Sequence, residues 1–226
     1  ALFRALIPMK IRWLGQASMD MTDDPELMKL MQKSGCLGLV IGFESITEEG
    51  LKAYQKNHNN QDTYSEQIKI IRRHGIYIWA AFLLGHDQET KETLKETLDF
   101  AIRNNFTFAA FNILMPYPKT EVYKELQQEG RLLYDEKWWL SPEYRFNYAA
   151  YKPANMSAEE LTEYCFYMRK KFSSPLIIIK RMLARHHLFN RLTYKLVWNF
   201  VLLYRRETLK KQSMLLGYEA SGTRRM

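Results

Sequence analysis

The sequence predicts an α/β protein in which parallel strands alternate with helices. Runs of apolar, β-branched and aromatic residues recur near positions 11–19, 37–43, 76–84 and 107–115. Most of these runs are continuous rather than alternating, which is typical of strands that are buried on both faces. Helix start and stop signals lie between the runs, which begin roughly 26 to 39 residues apart. This spacing is that of a βα unit, so a parallel sheet flanked by helices is expected.

The first helix between strands has clear ends. Asp24 can cap it, Pro25 suits its first position, and Gly35 lies just past its end. Four βα units of this kind belong either to part of a (β/α)₈ barrel or to an open doubly wound sheet. In both folds ligands bind at the carboxyl ends of the strands, so those ends are the candidate site.

The next two helices are also marked by their caps. Thr63 and Glu66 are spaced as a capping box ahead of a helix that Gly75 ends. Thr90 opens the following helix, whose leucines fall on one face.

Beyond residue 130 the pattern changes. Residues 131–153 are rich in aromatic side chains without a clear period, which predicts an extended covering loop. Ser157 and Glu160 form a capping box for a helix that runs to about Phe172, and Pro175 interrupts it.

Composition excludes several classes of protein. Hydrophobic residues make up 46% of the 226 positions, which excludes a disordered chain. No apolar run reaches the roughly 20 residues that a membrane-spanning helix needs. The two cysteines, Cys36 and Cys165, make neither a disulfide framework nor a closed metal site. We therefore expect a reducing, cytoplasmic compartment.

Positive charge is concentrated in the C-terminal third. Residues 151–226 hold 15 of the 33 Lys and Arg but 5 of the 25 Asp and Glu. In residues 176–226 basic side chains are interleaved with large apolar ones. Such a tail suits an anionic membrane surface, an acidic neighbouring domain, or a solvated basic face whose apolar side packs on the rest of the protein. Nucleic acid is a less favoured partner because no RNA-binding module is recognisable.

Glu44 follows the second strand directly, with Ser45 next to it. A carboxylate at the end of a buried strand is costly unless a donor contacts it, and the vicinal diol of a ribose is a good donor pair. The alternative is an acid that caps the following helix.

Polar groups also follow the third and fourth strands. Gly85 would let a ligand approach the backbone, with His86 and Asp87 at the mouth of the site; the alternative is an ordinary βα loop. After the fourth strand, Pro116 and Pro118 hold an extended path beside which a planar ligand can lie, or simply form a stiff loop.

Several short motifs share one order along the chain: Ser34-Gly35-Cys36, Ile41-Gly42-Phe43-Glu44-Ser45, His74-Gly75-Ile76, Phe82-Leu83-Leu84-Gly85 and Met115-Pro116-Tyr117-Pro118. This ordered set resembles the radical S-adenosylmethionine superfamily, and most closely the branch that carries an N-terminal cobalamin-binding domain. The resemblance covers about residues 10–175.

The resemblance implies a partial (β/α)₆ TIM-like barrel, of which this chain carries the last four βα units and a helical C-terminal extension. Residues 1–130 would be the C-terminal part of the barrel, 131–175 an aromatic covering loop and helix, and 176–226 a basic helical tail. The cofactors implied are S-adenosylmethionine, a [4Fe-4S] cluster and cobalamin.

Site residues are carried over by position. Glu44 would accept hydrogen bonds from the ribose hydroxyls. The full set of cofactor-binding positions implied is Glu44, Ser45, Ala81, Leu83, Gly85, Leu114, Met115 and Pro116. On the substrate side the expected polar groups are His86, Asp87 and Tyr117. No catalytic residue and no metal ligand is assigned in this chain.

The chain also departs from the family pattern. The Cys-x-x-x-Cys-x-x-Cys cluster loop and the Gly-Gly-Glu segment are absent, and Ala81 and Lys119 stand where the family or branch has Gly. Cys36 and Cys165 cannot replace three closely spaced thiolates and are interpreted as small buried hydrophobic residues. The simplest interpretation is a C-terminal portion of a longer enzyme, beginning in a helix over residues 1–7 and without radical chemistry of its own.

The function implied is radical methylation or cyclisation at an unactivated carbon of a small-molecule or lipid-like substrate. The missing N-terminal half of the same enzyme would be a partner. The alternatives are a radical enzyme that modifies RNA, and a non-catalytic remnant that acts as a binding module.

Overall fold

The computed structural model describes residues 1–53, 61–184, 191–212 and 214. Four parallel strands form one sheet whose spatial order follows the chain. The strands are β1 (Trp13–Ala17), β2 (Cys36–Glu44), β3 (Tyr77–Leu84) and β4 (Phe108–Ile113). The α-helices among these residues are α1 (Leu2–Leu6), α2 (Pro25–Lys33), α3 (Glu48–Ala53), α4 (Gln61–Arg73), α5 (Lys91–Arg103), α6 (Glu121–Gln128), α7 (Ala158–Phe172), α8 (Pro175–Leu183) and α9 (Arg191–Lys211). Two 3₁₀ turns occupy Ile7–Met9 and Met19–Asp23.

The strand order distinguishes between the two architectures that the sequence left open. A doubly wound sheet reverses its strand order at a switch point. The order β1-β2-β3-β4 shows no reversal among the described strands. The sheet is therefore an arc of a βα barrel, and the predicted α/β class is confirmed.

One face of the sheet packs against α2, α4 and α5 and forms the main core. Ile41, Phe43, Ile78 and Phe82 point to this side and are almost fully buried. The Phe43 ring lies 5.6 Å from the Phe82 ring and 5.1 Å from that of Phe106, between centroids. Burying each such side chain contributes about 1.5–3 kcal/mol, so this face holds the sheet and helices together.

Most predicted helix ends are confirmed. The Asp24 carboxylate accepts a hydrogen bond from the Leu27 amide at 2.9 Å. Thr90 caps α5, and Ser157 forms with Glu160 a reciprocal capping box at the start of α7. Helix α7 ends at Phe172 as expected, and Pro175 is the first residue of α8.

The capping box predicted at Thr63 and Glu66 is wrong. Helix α4 begins at Gln61, so Thr63 lies within it and its hydroxyl donates to the Gln67 side chain at 3.2 Å. Glu66 instead pairs with Lys69 on the helix surface. The spacing was that of a box, but the chain is already helical two residues earlier.

The β4 edge of the sheet is covered by the C-terminal extension. Nε of Arg169, on α7, donates to the Phe111 carbonyl at 2.8 Å. Nη1 of Arg181, on α8, donates to the carbonyls of Phe106 and Thr107 at 2.9 Å each. The Arg181 guanidinium also lies 4.0 Å above the Phe172 ring. Carbonyls at this edge thus receive donors from side chains instead of a further strand.

Helix α9 packs its apolar side on the protein. Trp198 and Val201 are buried beside Ile178 and contact Phe108. For residues 191–212, this packing agrees with the third interpretation of the basic tail, in which its apolar side packs on the rest of the protein. Residues 185–190, 213 and 215–226 of the predicted tail lie outside the described part of the chain. Within that part, no helix combines the length and the apolar character needed to cross a bilayer.

Candidate functional site

The sheet face opposite α2, α4 and α5, hereafter the open face, has rows of side chains set by the strand register. Val40 lies beside Trp79, and Trp79 beside Phe108, which makes an aromatic row. Towards the carboxyl ends of the strands, the next row holds Gly42, Ala81 and Ala110 and is called the small row. Leu83 and Asn112 form the last pair.

Helix α9 covers the aromatic row but leaves the small row free. The Tyr204 ring lies 5.0 Å from that of Trp79 and 5.4 Å from that of Phe108, between centroids. Phe200 lies 5.9 Å from Phe108. Because the small row carries at most a methyl group at each position, the carboxyl half of the open face has room for a ligand.

Glu44 stands at the carboxyl end of β2 in an unusual backbone conformation. Its φ of 59° lies in the left-handed region, and the register with β3 shifts between Gly42 and Glu44. A Cβ atom added at Gly42 would collide with Oε1 of Glu44, so the carboxylate lies over Gly42 on the open face. Such a backbone outlier at a strand end is a common mark of a binding site.

Ser45 has a structural role in the following turn. Its hydroxyl accepts a hydrogen bond from the Thr47 amide at 3.1 Å, and Thr47 Oγ1 accepts one from the Gly50 amide at 3.1 Å. The hydroxyls of Ser45 and Thr47 therefore cap the start of α3. The Glu44 carboxylate lies elsewhere, which favours the binding interpretation of Glu44 over the capping one.

Both backbone groups of Gly85, the amide and the carbonyl, are hydrogen-bonded to side chains. Its amide donates to Oε2 of Glu89, and its carbonyl accepts from the Tyr151 hydroxyl at 2.6 Å. At a φ of +102°, a Cβ atom here would collide with Tyr151 and Leu161. The space that we expected a ligand to use at Gly85 is thus filled by the chain itself. Burial raises the pKa of Glu89 to about 8.

His86 and Asp87 do not stand freely at the mouth of the site as expected. The His86 side chain is 3% exposed and packs against Ser45 and Gly50, and this burial lowers its pKa. Asp87 forms a two-point ion pair with Arg131, which holds the pKa of that carboxyl below its usual value. These contacts come from distant segments, so the motif alone could not reveal them.

A cavity of about 410 Å³ adjoins the carboxyl ends of β3 and β4. Its lining residues are Leu83, Asn112, Ile113, Met115, Tyr117, Trp138, Tyr144, Phe146 and Asn147. Trp138 Nε1 donates to the Pro116 carbonyl at 3.0 Å and so fixes the covering loop to the end of β4. The structure thereby brings Leu83 and Met115, expected near the cofactor, together with Tyr117, expected near the substrate.

Sequence reasoning missed three residues beside this cavity. Nη2 of Arg169 lies 3.2 Å from Oδ1 of Asn112 and 3.2 Å from Oδ1 of Asn147. Asn112 had a signal, because it is a polar residue near the end of an apolar strand. Asn147 lies in the aperiodic loop at a φ of 68°, and nothing local marks it.

The described residues do not fit an iron–sulfur cluster. No three His, Cys, Asp or Glu side chains among them come together as a metal site. Cys36 and Cys165 are buried, as predicted, and burial raises the pKa of these thiols to about 12 and about 11. Two thiols that join no such group cannot supply the three closely spaced thiolates of a cluster.

The carboxyl half of the open face does fit the nucleoside part of S-adenosylmethionine. Glu44 offers carboxylate acceptors, and the small row leaves space beside Leu83. An arc of a βα barrel with its cavity at the carboxyl ends of the strands defines the class of ligand-binding α/β barrels.

Residues 2–101 match the Radical SAM superfamily. This match confirms the resemblance drawn from the motifs.

Curated relatives agree with this assignment. The chain is 27% identical to bacteriochlorophyllide d C-12(1)-methyltransferase of Chlorobaculum tepidum, over 86% of this chain and 43% of the relative. It is 30% identical to hopanoid C-2 methylase of Rhodopseudomonas palustris, over 54% of this chain and 23% of the relative. It is 28% identical to the anaerobic magnesium-protoporphyrin IX monomethyl ester cyclase of Cereibacter sphaeroides, over 73% and 27%. The chain spans less than half the length of each.

Among solved structures, the cobalamin-dependent S-adenosylmethionine radical enzyme OxsB with aqua-cobalamin bound superposes with a TM-score of 0.54. The match covers 92% of this chain and 36% of OxsB at 16% identity. This similarity shows that the two share a fold.

Proposed function

We propose that this chain is the C-terminal portion of a cobalamin-dependent radical S-adenosylmethionine enzyme that methylates or cyclises an unactivated carbon of a small-molecule or lipid-like substrate. The observation that carries the proposal is the Glu44 carboxylate over Gly42, beside the small row. The names of the relatives, which are methyltransferases, a methylase and a cyclase, support the reaction class.

In this proposal the chain binds and positions the nucleoside. Glu44 accepts hydrogen bonds from both ribose hydroxyls, and Ala81 and Leu83 pack beside the adenine. Backbone groups of Leu114, Met115 and Pro116 lie along the adenine edge. The chemistry that bound S-adenosylmethionine supplies in such enzymes is hydrogen abstraction or methyl transfer.

Each of the three segments of the chain has a role in the proposed enzyme. Residues 1–130 serve as barrel, 131–175 as a cover over the carboxyl ends, and 176–226 as a basic helical tail. No step is assigned to a cluster or to cobalamin, since the described residues offer no ligands for the cluster. The chain by itself is expected to show no cleavage of S-adenosylmethionine.

The test compares two nucleosides on this chain by saturation-transfer NMR: adenosine and 2′,3′-dideoxyadenosine. Hydrogen bonds to a charged group contribute about 1.5–3 kcal/mol each, so adenosine is expected to bind at least about tenfold more tightly. Glu44→Gln should abolish this preference. Glu48→Gln is the matched control, because Glu48 is an exposed acid on α3 that pairs with Lys52. Equal binding of the two nucleosides, or a preference that survives Glu44→Gln, would overturn the proposal.

A further inference from the structure

Asn112 and Asn147 hold their side-chain amides in one orientation because both face Arg169. A guanidinium has only donors, so each asparagine must turn its oxygen towards Arg169 and its NH₂ group away. The two Oδ1 atoms each lie 3.2 Å from Nη2 of Arg169. Arg169 is itself buried and anchored on the Phe111 carbonyl, so the orientation is set by a fixed group.

The amide nitrogens of Asn112 and Asn147 are the groups left for a ligand. Asn112 and Asn147 form part of the wall between two cavities, of about 410 and 310 Å³, and line both. Arg169 lines only the smaller one. Because the amide oxygens accept from Arg169, the NH₂ groups are the atoms that a ligand in the larger cavity would meet; Asn112 is exposed and Asn147 is half-buried. Among the described residues, neither NH₂ group has a protein acceptor.

The rest of the larger cavity is apolar and aromatic. Trp138 and Tyr144 have ring centroids 5.0 Å apart, and Tyr117 lies 5.8 Å from Trp138. Among the residues that the structure describes, no charged side chain lines it. A volume of this size suits a small organic ligand, and a few polar groups in an apolar pocket usually fix its orientation.

We propose that Asn112 and Asn147 form a paired amide donor that selects a substrate with a flat, apolar body and a carbonyl or carboxylate oxygen. The body lies among the rings of Tyr117, Trp138 and Tyr144, next to the space that the proposed function gives to the adenine at Leu83 and Met115, and the oxygen accepts from both NH₂ groups. The positive charge of Arg169 behind the amides strengthens them as donors. This inference names the substrate class for the proposed function and rests on it.

Two probes of matched shape test the proposal: 2-acetylnaphthalene, which has a carbonyl, and 2-ethylnaphthalene, which lacks one. Affinities come from titrations followed by ¹⁵N–¹H spectra, in which the asparagine NH₂ signals report directly on the donors. We expect the acetyl compound to bind about tenfold or more tightly, a difference of about 1.4 kcal/mol in binding free energy. It should also shift the NH₂ signals of Asn112 and Asn147.

The variants Asn112→Asp and Asn147→Asp replace the donor by an acceptor and keep a partner for Arg169. Each should remove the preference for 2-acetylnaphthalene over 2-ethylnaphthalene. Asn199→Asp, on the exposed side of α9, is the control with the same charge change. If a variant does not fold, the comparison of the two probes on the unmodified chain still decides.

Equal affinity for the two probes, or a preference that persists in both variants, would overturn the inference. Failure of the adenosine preference at Glu44, with the acetyl preference intact, would instead sink the proposed function and leave the paired donor standing.

Discussion

The two halves of the open face are held in contrasting ways. The amino half is apolar, because Tyr204 and Phe200 of α9 lie on Trp79 and Phe108 beside an apolar cavity of about 280 Å³. The carboxyl half carries the Glu44 carboxylate and has the small row at its centre. The difference is one of chemistry: α9 packs on the apolar amino half and stabilises the fold, while the carboxyl half presents the Glu44 carboxylate beside the small row.

The largest expected effect comes from disrupting the packing of α9 on the amino half of the open face. Trp198 is 2% exposed and anchors α9 beside Ile178 and Val201. Trp198→Ala should lower the free energy of unfolding by about 3–5 kcal/mol, since it leaves a large cavity. Urea denaturation measures the loss. If stability is unchanged, α9 does not hold this half.

Raising the pH should destabilise the folded chain through Glu89, which holds the Gly85 amide after β3. The pKa of Glu89 in the folded chain is about 8, against 4.5 when exposed. Its contribution to stability is therefore present below about pH 4.5 and is lost as the pH rises through 8. Between pH 7 and 9 we expect a loss of about 1.4 kcal/mol, from one pKa unit being worth 1.36 kcal/mol. Denaturation curves at the two values provide the measurement.

Glu89→Gln is the control for this pH effect. The amide oxygen can still accept from the Gly85 amide, but it does not titrate. The variant should lose less stability than the original chain over the same range. An identical loss in both would assign the pH dependence to other groups.

A substitution in the small row is expected to have the smallest effect on stability. Its effect should be on ligand binding. Ala81→Leu fills the space beside Ala110 and Gly42, so adenosine binding should weaken about tenfold or more. Because this half is open, unfolding should change by less than about 1 kcal/mol. Ala5→Leu on exposed α1 is the matched control. Unaltered adenosine binding would show that the nucleoside lies elsewhere.

Much of the fold could be predicted because its signals are local. Strands buried on both faces are continuous apolar runs, and the caps at Asp24, Thr90 and Ser157 lie within three residues of their partners. The box at Thr63 failed because the same local spacing also occurs inside a helix.

The site was predictable only in part, since its contacts join distant segments. Glu44 was found from its place after an apolar strand. The burial of His86 depends on Gly50, and the orientation of Asn147 depends on Arg169, 22 residues further on. Nor does the sequence tell which surface receives the apolar side of α9, because many surfaces would suit it.

The arginines at the β4 edge also determine at which edge of the sheet a further strand could be added. A strand added beside β4 would have to displace both Arg169 and Arg181, which would leave buried guanidiniums without their carbonyl partners. Lateral pairing, in folding or in unwanted aggregation, is therefore directed to the β1 side, where Leu14 is exposed. The two guanidiniums therefore block strand addition at the β4 edge.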